Sequence, residues 1–401
     1  MRDNMSNYFD QRINRKGTYC TQWDYIQDRF GVNDLLPFSI SDMDFQSSPE
    51  ILAALKERMN HGVFGYTRWN HHDFKSSITN WYRARFSAAV ETDWIVYAPS
   101  VIYSIARIIE LVTSEDDHII LQTPAYDAFF PLIRGLNRKL IANPLTYTNG
   151  RYELDFFDLE QKLTHKKAKV LLLCNPHNPT GRLWTRQELK DIVELCEKHH
   201  VMIISDDIHM DITYRDQNYI PLTSVASNLD NIFICSSASK TFNTPGLGGS
   251  YSIIPNETIR EQFLQLLKYR DGVSNASIFG EIAIIEGYRQ SGYWVDELCS
   301  YLYNNMKIVK KFIDEELLDL HFTIPESTYL AWIDCSNLRI TSNDLQQALI
   351  NVGKVGIMSG EVYGENRGVF LRMNVGCPQT KLVEGLERLK RSVRSLSLSN
   401  P

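Results

Sequence analysis

The chain has 401 residues, more than one compact core usually needs, so a large and a small domain are expected. Composition is that of an ordinary globular protein, 43% apolar and 22% charged, and 42 basic against 48 acidic residues leave a net charge of −6. This balance supplies no basic face for nucleic acid, and no apolar run approaches the roughly 20 residues that span a bilayer.

The opening Met1–Ser6 has no apolar stretch behind its charge and does not read as a signal peptide. The first fifty residues read as irregular, with an extended stretch over Leu36–Ile40. Ser48 followed by Pro49 predicts a helix start, with Ile51, Leu52, Leu55 and Met59 on one face. From about 95 to 255, apolar strands alternate with amphipathic helices. Ala98-Pro99-Ser100 opens a helix over Val101 to about Val112. Ile119–Leu121, Val170–Leu173, Val201–Ile204 and Ile232–Cys235 are short continuous apolar runs, as expected of strands buried on both faces. Thr185 and Glu188 form a capping-box pattern ahead of the stripe Leu189, Ile192, Val193 and Cys196. After about 290 come a long helical stretch and short strands around Tyr329–Ile333 and Val369–Arg372.

Such alternation implies an α/β fold: a large domain with a mainly parallel sheet covered by helices, and a smaller α+β domain closing over it. The expected divisions are an N-terminal segment 1–52 that joins the small domain, a large domain 53–290 and a small domain 291–401. The seven cysteines are odd in number and contain no CxxC pair. They read as reduced thiols of a cytoplasmic protein, with no disulfide frame and no metal site.

Four polar clusters sit next to predicted strands, where open α/β sheets bind ligands. Asn175-Pro176-His177-Asn178-Pro179 breaks any helix, and alone it reads as a plain turn. Ser205-Asp206-Asp207-Ile208-His209 puts a carboxylate at a buried strand end, which is costly unless it meets a cation. Ser236-Ser237-Ala238-Ser239-Lys240 puts an amine in the same kind of place, where desolvation and a nearby cation favour a neutral nucleophile. Pro99-Ser100-Val101 offers the free amides of a helix N-terminus to a phosphate, or is an ordinary serine cap. Each signal is weak; their order and spacing make the case.

Together, Asn178-Pro179-Thr180-Gly181, Asp206 and Ser237-Ala238-Ser239-Lys240 resemble the aspartate aminotransferase superfamily, the fold type I enzymes that use pyridoxal 5′-phosphate. Further stretches are similar to the MalY/PatB-type cystathionine β-lyases. They are Asp42-Met43-Asp44-Phe45, Gly62-Val63-Phe64-Gly65-Tyr66, Thr123-Pro124-Ala125-Tyr126-Asp127, Ser205–Asp211 and Ser327–Trp332. The likeness runs from about Gly17 to Pro378; Ser100 departs from the glycine that many members carry.

The resemblance implies a set of roles. Lys240 would hold the cofactor covalently and then act as the base. Asp206 would pair with the ring nitrogen. Asn178 and His209 would sit by the ring oxygen, and Tyr126 would stack on the ring. Ser100, Val101, Ser237 and Ser239 would line the phosphate. Tyr66 would reach the phosphate of the neighbouring subunit of a homodimer and, like Lys240, could assist the departing sulfur. Arg372 would grip the carboxylate of a small amino-acid substrate. The activity implied is C–S β-lysis of L-cystathionine and related cysteine conjugates, as in methionine biosynthesis. An aminotransferase is the alternative with the same cofactor. A third reading is regulatory, in which the protein binds and restrains a transcriptional activator of maltose genes.

Overall fold

The computed structural model describes residues 8–215, 217–364 and 368–397. A seven-stranded sheet forms the centre of the large domain. In chain order its strands are β1 (Ile95–Ala98), β2 (His118–Thr123), β3 (Lys139–Pro144), β4 (Ala168–Cys174), β5 (Met202–Asp206), β6 (Ile232–Ser236) and β7 (Ser250–Ile253). Their spatial order is β1-β7-β6-β5-β4-β2-β3. All pairings are parallel except those of β7, which runs against both β1 and β6.

The apolar runs become central strands because side chains on both faces find cover. In β4, Val170 and Leu172 join the cluster with Val101, Ile105 and Ile108 of helix 101–112. Leu171 and Leu173 join the cluster with Leu189, Ile192 and Val193 of helix 186–198. Each such side chain, removed wholly from water, contributes roughly 1.5–3 kcal/mol. Both helices start where the sequence indicates. Ser100 accepts the amide of Tyr103 at 3.2 Å, and Thr185 and Glu188 form a complete capping box. Helix 49–61 also starts as expected, with Ser48 capping and Pro49 in the first turn. Its expected apolar face is a different matter: Ile51 is buried, but Leu52 and Met59 are exposed. Within a single chain nothing covers them.

The small domain has an antiparallel sheet of β8 (Leu330–Asp334), β9 (Met358–Ser359) and β10 (Phe370–Asn374), with β10 in the middle. Helix 292–316 buries Trp294, Leu298, Leu302, Val309 and Ile313, a stripe at helical spacing. Leu36 and Pro37 pair in parallel with Val355 and Gly356, which ties the N-terminal segment to this domain. No helix among the described residues is long and apolar enough to cross a membrane. All seven cysteines are free.

Candidate active site

Strands β4, β5 and β6 end side by side at Cys174, Asp206 and Ser236, and β1 ends nearby at Ala98. A cavity of about 200 Å³ opens at these carboxyl ends. Ser100, Val101, Tyr126, Asn178, Asp206, His209, Ser237, Ser239 and Lys240 all line it. Arg372 stands beside this group: its Nη1 donates to Asn178 Oδ1 at 3.1 Å. Tyr66 does not join them. It is 96% exposed, away from the cavity of its own chain.

Lys240 follows β6 in a turn that is anchored on both sides. Thr241 donates its hydroxyl to Asp211 Oδ2 at 2.7 Å, and the indole of Trp81 donates to Asp211 Oδ1 at 2.9 Å. Asn243 donates to the carbonyls of Met43 and Phe45, and its Oδ1 accepts the Met43 amide. The Lys240 amine donates to the Ser41 carbonyl at 2.5 Å. Burial pushes this amine down to about 8; Asp42 opposes the shift and Arg372 adds to it. About a tenth is therefore neutral at pH 7, far more than for an ordinary lysine, and an attacking amine must be neutral.

Asp206 has the complementary problem. Burial raises its carboxyl to about 6, against the Ile208 amide and Lys240, which lower it. Next to it, burial lifts Asp207 to about 7, opposed by hydroxyls donated from Ser205 and Tyr219. His209 is pushed down to about 3 by burial and by the positive Lys240 and Arg372, so its imidazole is neutral. Its Nδ1 is buried and lacks a hydrogen-bond partner among the described residues.

Arg372 lies on β10, 4% exposed, with its guanidinium 4.6 Å from the centre of the Tyr363 ring. Besides Asn178 it donates to the Ser39 carbonyl at 2.9 Å, and its Nε is unsatisfied among the described residues. Among the described residues, Lys240, Asp206 and Arg372 form no ion pair, although each is buried or desolvated. A buried charge without a partner is held for a ligand more often than for stability.

The other end of the cavity suits an anion. Helix 101–112 begins there, with Ser100, Val101 and Ile102 in the lining. Ser237 donates to the Gly249 carbonyl at 2.8 Å, and Ser250 to the Ala98 carbonyl at 3.0 Å, closing the cup. Gly248 and Gly249 both have positive φ, +72° and +95°, which lets the backbone fold against the ligand space. A flat ring with a cationic nitrogen, an oxygen substituent, an aldehyde and a phosphate fits this constellation. Asp206 would hold the nitrogen, Lys240 the aldehyde, Asn178 and His209 the oxygen, and the cup the phosphate.

Sequence reasoning missed part of the frame. The segment 39–45 is stitched along its length: Ser39 to Arg372, Ile40 and Asp42 to Asn374, Ser41 to Lys240 and to the Tyr329 hydroxyl at 3.0 Å. Arg15 bridges Asp42 and Asp44, and Lys381 pairs with Asp44 at 2.5 Å, both buried. The motifs around Asp42 and Tyr329 were visible; what they hold was not, because a carbonyl acceptor leaves no mark in a sequence.

Residues 33–389 match the family model described as aminotransferase class I and II. The chain is 42% identical to Protein MalY of Escherichia coli K12, over 97% of this chain and 99% of that protein. It is 36% identical to the cystathionine beta-lyase PatB of Bacillus subtilis 168, over 96% and 99%. Among solved structures, cystalysin from Treponema denticola, which contains a pyridoxal 5′-phosphate cofactor, superposes with a TM-score of 0.91. Identity to it is 31%, over 97% of this chain and 99% of that one.

Proposed function

Since the chain belongs to the aminotransferase class I and II family and is a pyridoxal-phosphate-dependent carbon–sulfur lyase, we propose that its substrate is L-cystathionine, with related cysteine S-conjugates accepted. The products are then homocysteine or another thiol, pyruvate and ammonia. The observation that carries this reading is that Lys240 and Asp206 line one cavity and Arg372 reaches its lining residue Asn178, none of the three ion-paired among the described residues.

When bound, the cofactor supplies an electron sink for the pair left at Cα. Lys240 would hold it covalently through its amine. The freed amine, already poised near neutral pH by burial, takes the Cα proton. Asp206 would pair with a cationic ring nitrogen, which would favour its ionised form. Arg372 fixes the substrate carboxylate through two parallel N–H donors. Neutral His209 and Asn178 fix the plane of the ring. The Cβ–S bond breaks with its electron pair leaving on sulfur, and Lys240 or Tyr66 of the neighbouring subunit of a homodimer supplies the proton. Water then releases pyruvate and ammonia.

The test is pyruvate release from L-cystathionine by the purified holoenzyme with no keto acid present. The expected result is turnover that vanishes in Lys240→Ala, together with the visible absorbance of the bound cofactor. Amino transfer that requires a keto acid, without pyruvate release, would move the assignment to an aminotransferase. The regulatory role, restraint of a transcriptional activator of maltose genes, rests on surface residues in this reading. Lys240→Ala is then expected to lose lysis and keep restraint, and loss of both in a folded variant that still binds the activator would refute that separation.

A further inference from the structure

Two charges that do not line the cavity, Arg29 and Asp127, have no part in the mechanism above. Arg29, at the end of the short helix Gln27–Phe30, is exposed and forms no ion pair among the described residues. Its Nη1 donates to Met358 Sδ at 3.3 Å. Met358 lies opposite Arg372 in the β9–β10 pairing, so the two side chains share one face of the sheet. Arg29 is thus one side chain removed from Arg372. With Thr21, Tyr25, Ile26, Asp28, Ser39 and Ile40 it lines a cleft of about 260 Å³. The same 39–41 segment continues into the main cavity at Ser41.

A charge of the other sign faces this region. Asp127 is half-buried directly after Tyr126, and it too forms no ion pair among the described residues. Burial raises the phenols of both Tyr126 and Tyr363; Asp127 raises each further, and Arg29 lowers each. Both charges therefore act on the same two rings from separate positions, without pairing to each other. Tyr363, whose ring centre is 4.6 Å from the Arg372 guanidinium, has a buried hydroxyl that lacks a hydrogen-bond partner among the described residues.

We propose that Arg29 and Asp127, with the Tyr363 hydroxyl, form a subsite for the zwitterionic head of an amino-acid leaving group, Arg29 taking its carboxylate and Asp127 its ammonium. This rests on the C–S lyase reading and specifies it: the preferred conjugates are those whose thiol half is itself an amino acid. Arg372 is already committed to the carboxylate next to the reacting Cα. A second, unpaired Arg–Asp couple matches the far end of cystathionine, which carries one charge of each sign. S-alkyl cysteines lack that far end and gain nothing from it.

The experiment compares L-cystathionine with S-ethyl-L-cysteine as substrates of the holoenzyme and of its Arg29→Gln, Arg29→Lys and Asp127→Asn variants. Loss of one charge-assisted hydrogen bond is expected to raise the KM for L-cystathionine about tenfold or more in Arg29→Gln and Asp127→Asn. The kcat, and both constants for S-ethyl-L-cysteine, should stay within about twofold of the parent. Arg29→Lys should recover part of the KM. Equal losses on both substrates, or no change with L-cystathionine, overturn the subsite. Absence of pyruvate from either substrate with the unsubstituted holoenzyme would instead remove the lyase reading on which the subsite depends.

Discussion

Asp206 and Lys240 show one cause with opposite signs. Burial favours the neutral form of each, raising the acid to about 6 and lowering the amine to about 8. For Asp206 the linkage has a definite direction. Between its ordinary value of 3.8 and about 6, the folded chain holds a proton that the unfolded chain has lost, so the folded state loses stability as pH rises through that window. The loss is about 3 kcal/mol for one site. Cofactor-free Asp206→Asn should therefore gain on the unsubstituted apoprotein in thermal melts as pH rises from about 4 to about 6, and keep that lead above it. With cofactor present the order should reverse, because a neutral amide in place of the carboxylate cannot pair with a cationic ring nitrogen; titration of apoprotein with pyridoxal phosphate reads this. Equal melting curves at every pH would show that Asp206 is not desolvated as described. Arg372→Lys keeps the charge but loses the planar fork, and kcat/KM for L-cystathionine should fall about a hundredfold in steady-state assays. Residues such as Asp206 and Lys240 were legible because a charge after a buried strand is conspicuous. Ser41 was not, since it acts through its carbonyl.

At the scale of elements, the site is a product of where strands stop and helices start. The strand runs, the Ser100 cap and the Thr185–Glu188 box could all be read from the chain, because local propensity and burial point the same way there. Thr185→Ala should cost about 1 kcal/mol in denaturant unfolding while leaving pyruvate release unchanged, since helix 186–198 backs the sheet face away from the cavity's phosphate end. Less legible was the approach of helix 278–290 to the cofactor cup. A Cβ on Gly280 would lie 2.0 Å from the Gly248 carbonyl oxygen, a backbone atom that cannot swing aside. Gly280→Ala must therefore push out the loop that lines the cup. The expected outcome is weaker retention of pyridoxal phosphate in equilibrium dialysis, from a residue that touches no ligand. Contacts of this kind join positions far apart in sequence and follow from no local pattern.

The whole molecule explains what the single chain leaves exposed. Helix 49–61 has the periodicity of a covered helix, yet Leu52 and Met59 face outward, and Val63, Phe64 and Tyr66 follow them on the surface. Periodicity reports that a face is covered without saying by which chain. A run of exposed apolar side chains this dense marks an association surface, and self-association by twofold symmetry is the commonest form. Tyr66, 96% exposed and outside the lining of its own cavity, would in such a dimer serve the neighbouring site. The parent is expected to sediment as a dimer and a Val63→Asp/Phe64→Asp variant as a monomer. The variant should also lose pyruvate release although Lys240, Asp206 and Arg372 are untouched. Tyr66→Phe separates the two roles: it should stay dimeric and bind pyridoxal phosphate more weakly, because only the hydroxyl that would reach the partner's phosphate is removed. A Val63→Asp/Phe64→Asp monomer with full activity would show that each chain's cavity is complete by itself, and Tyr66 would then have no part in the chemistry.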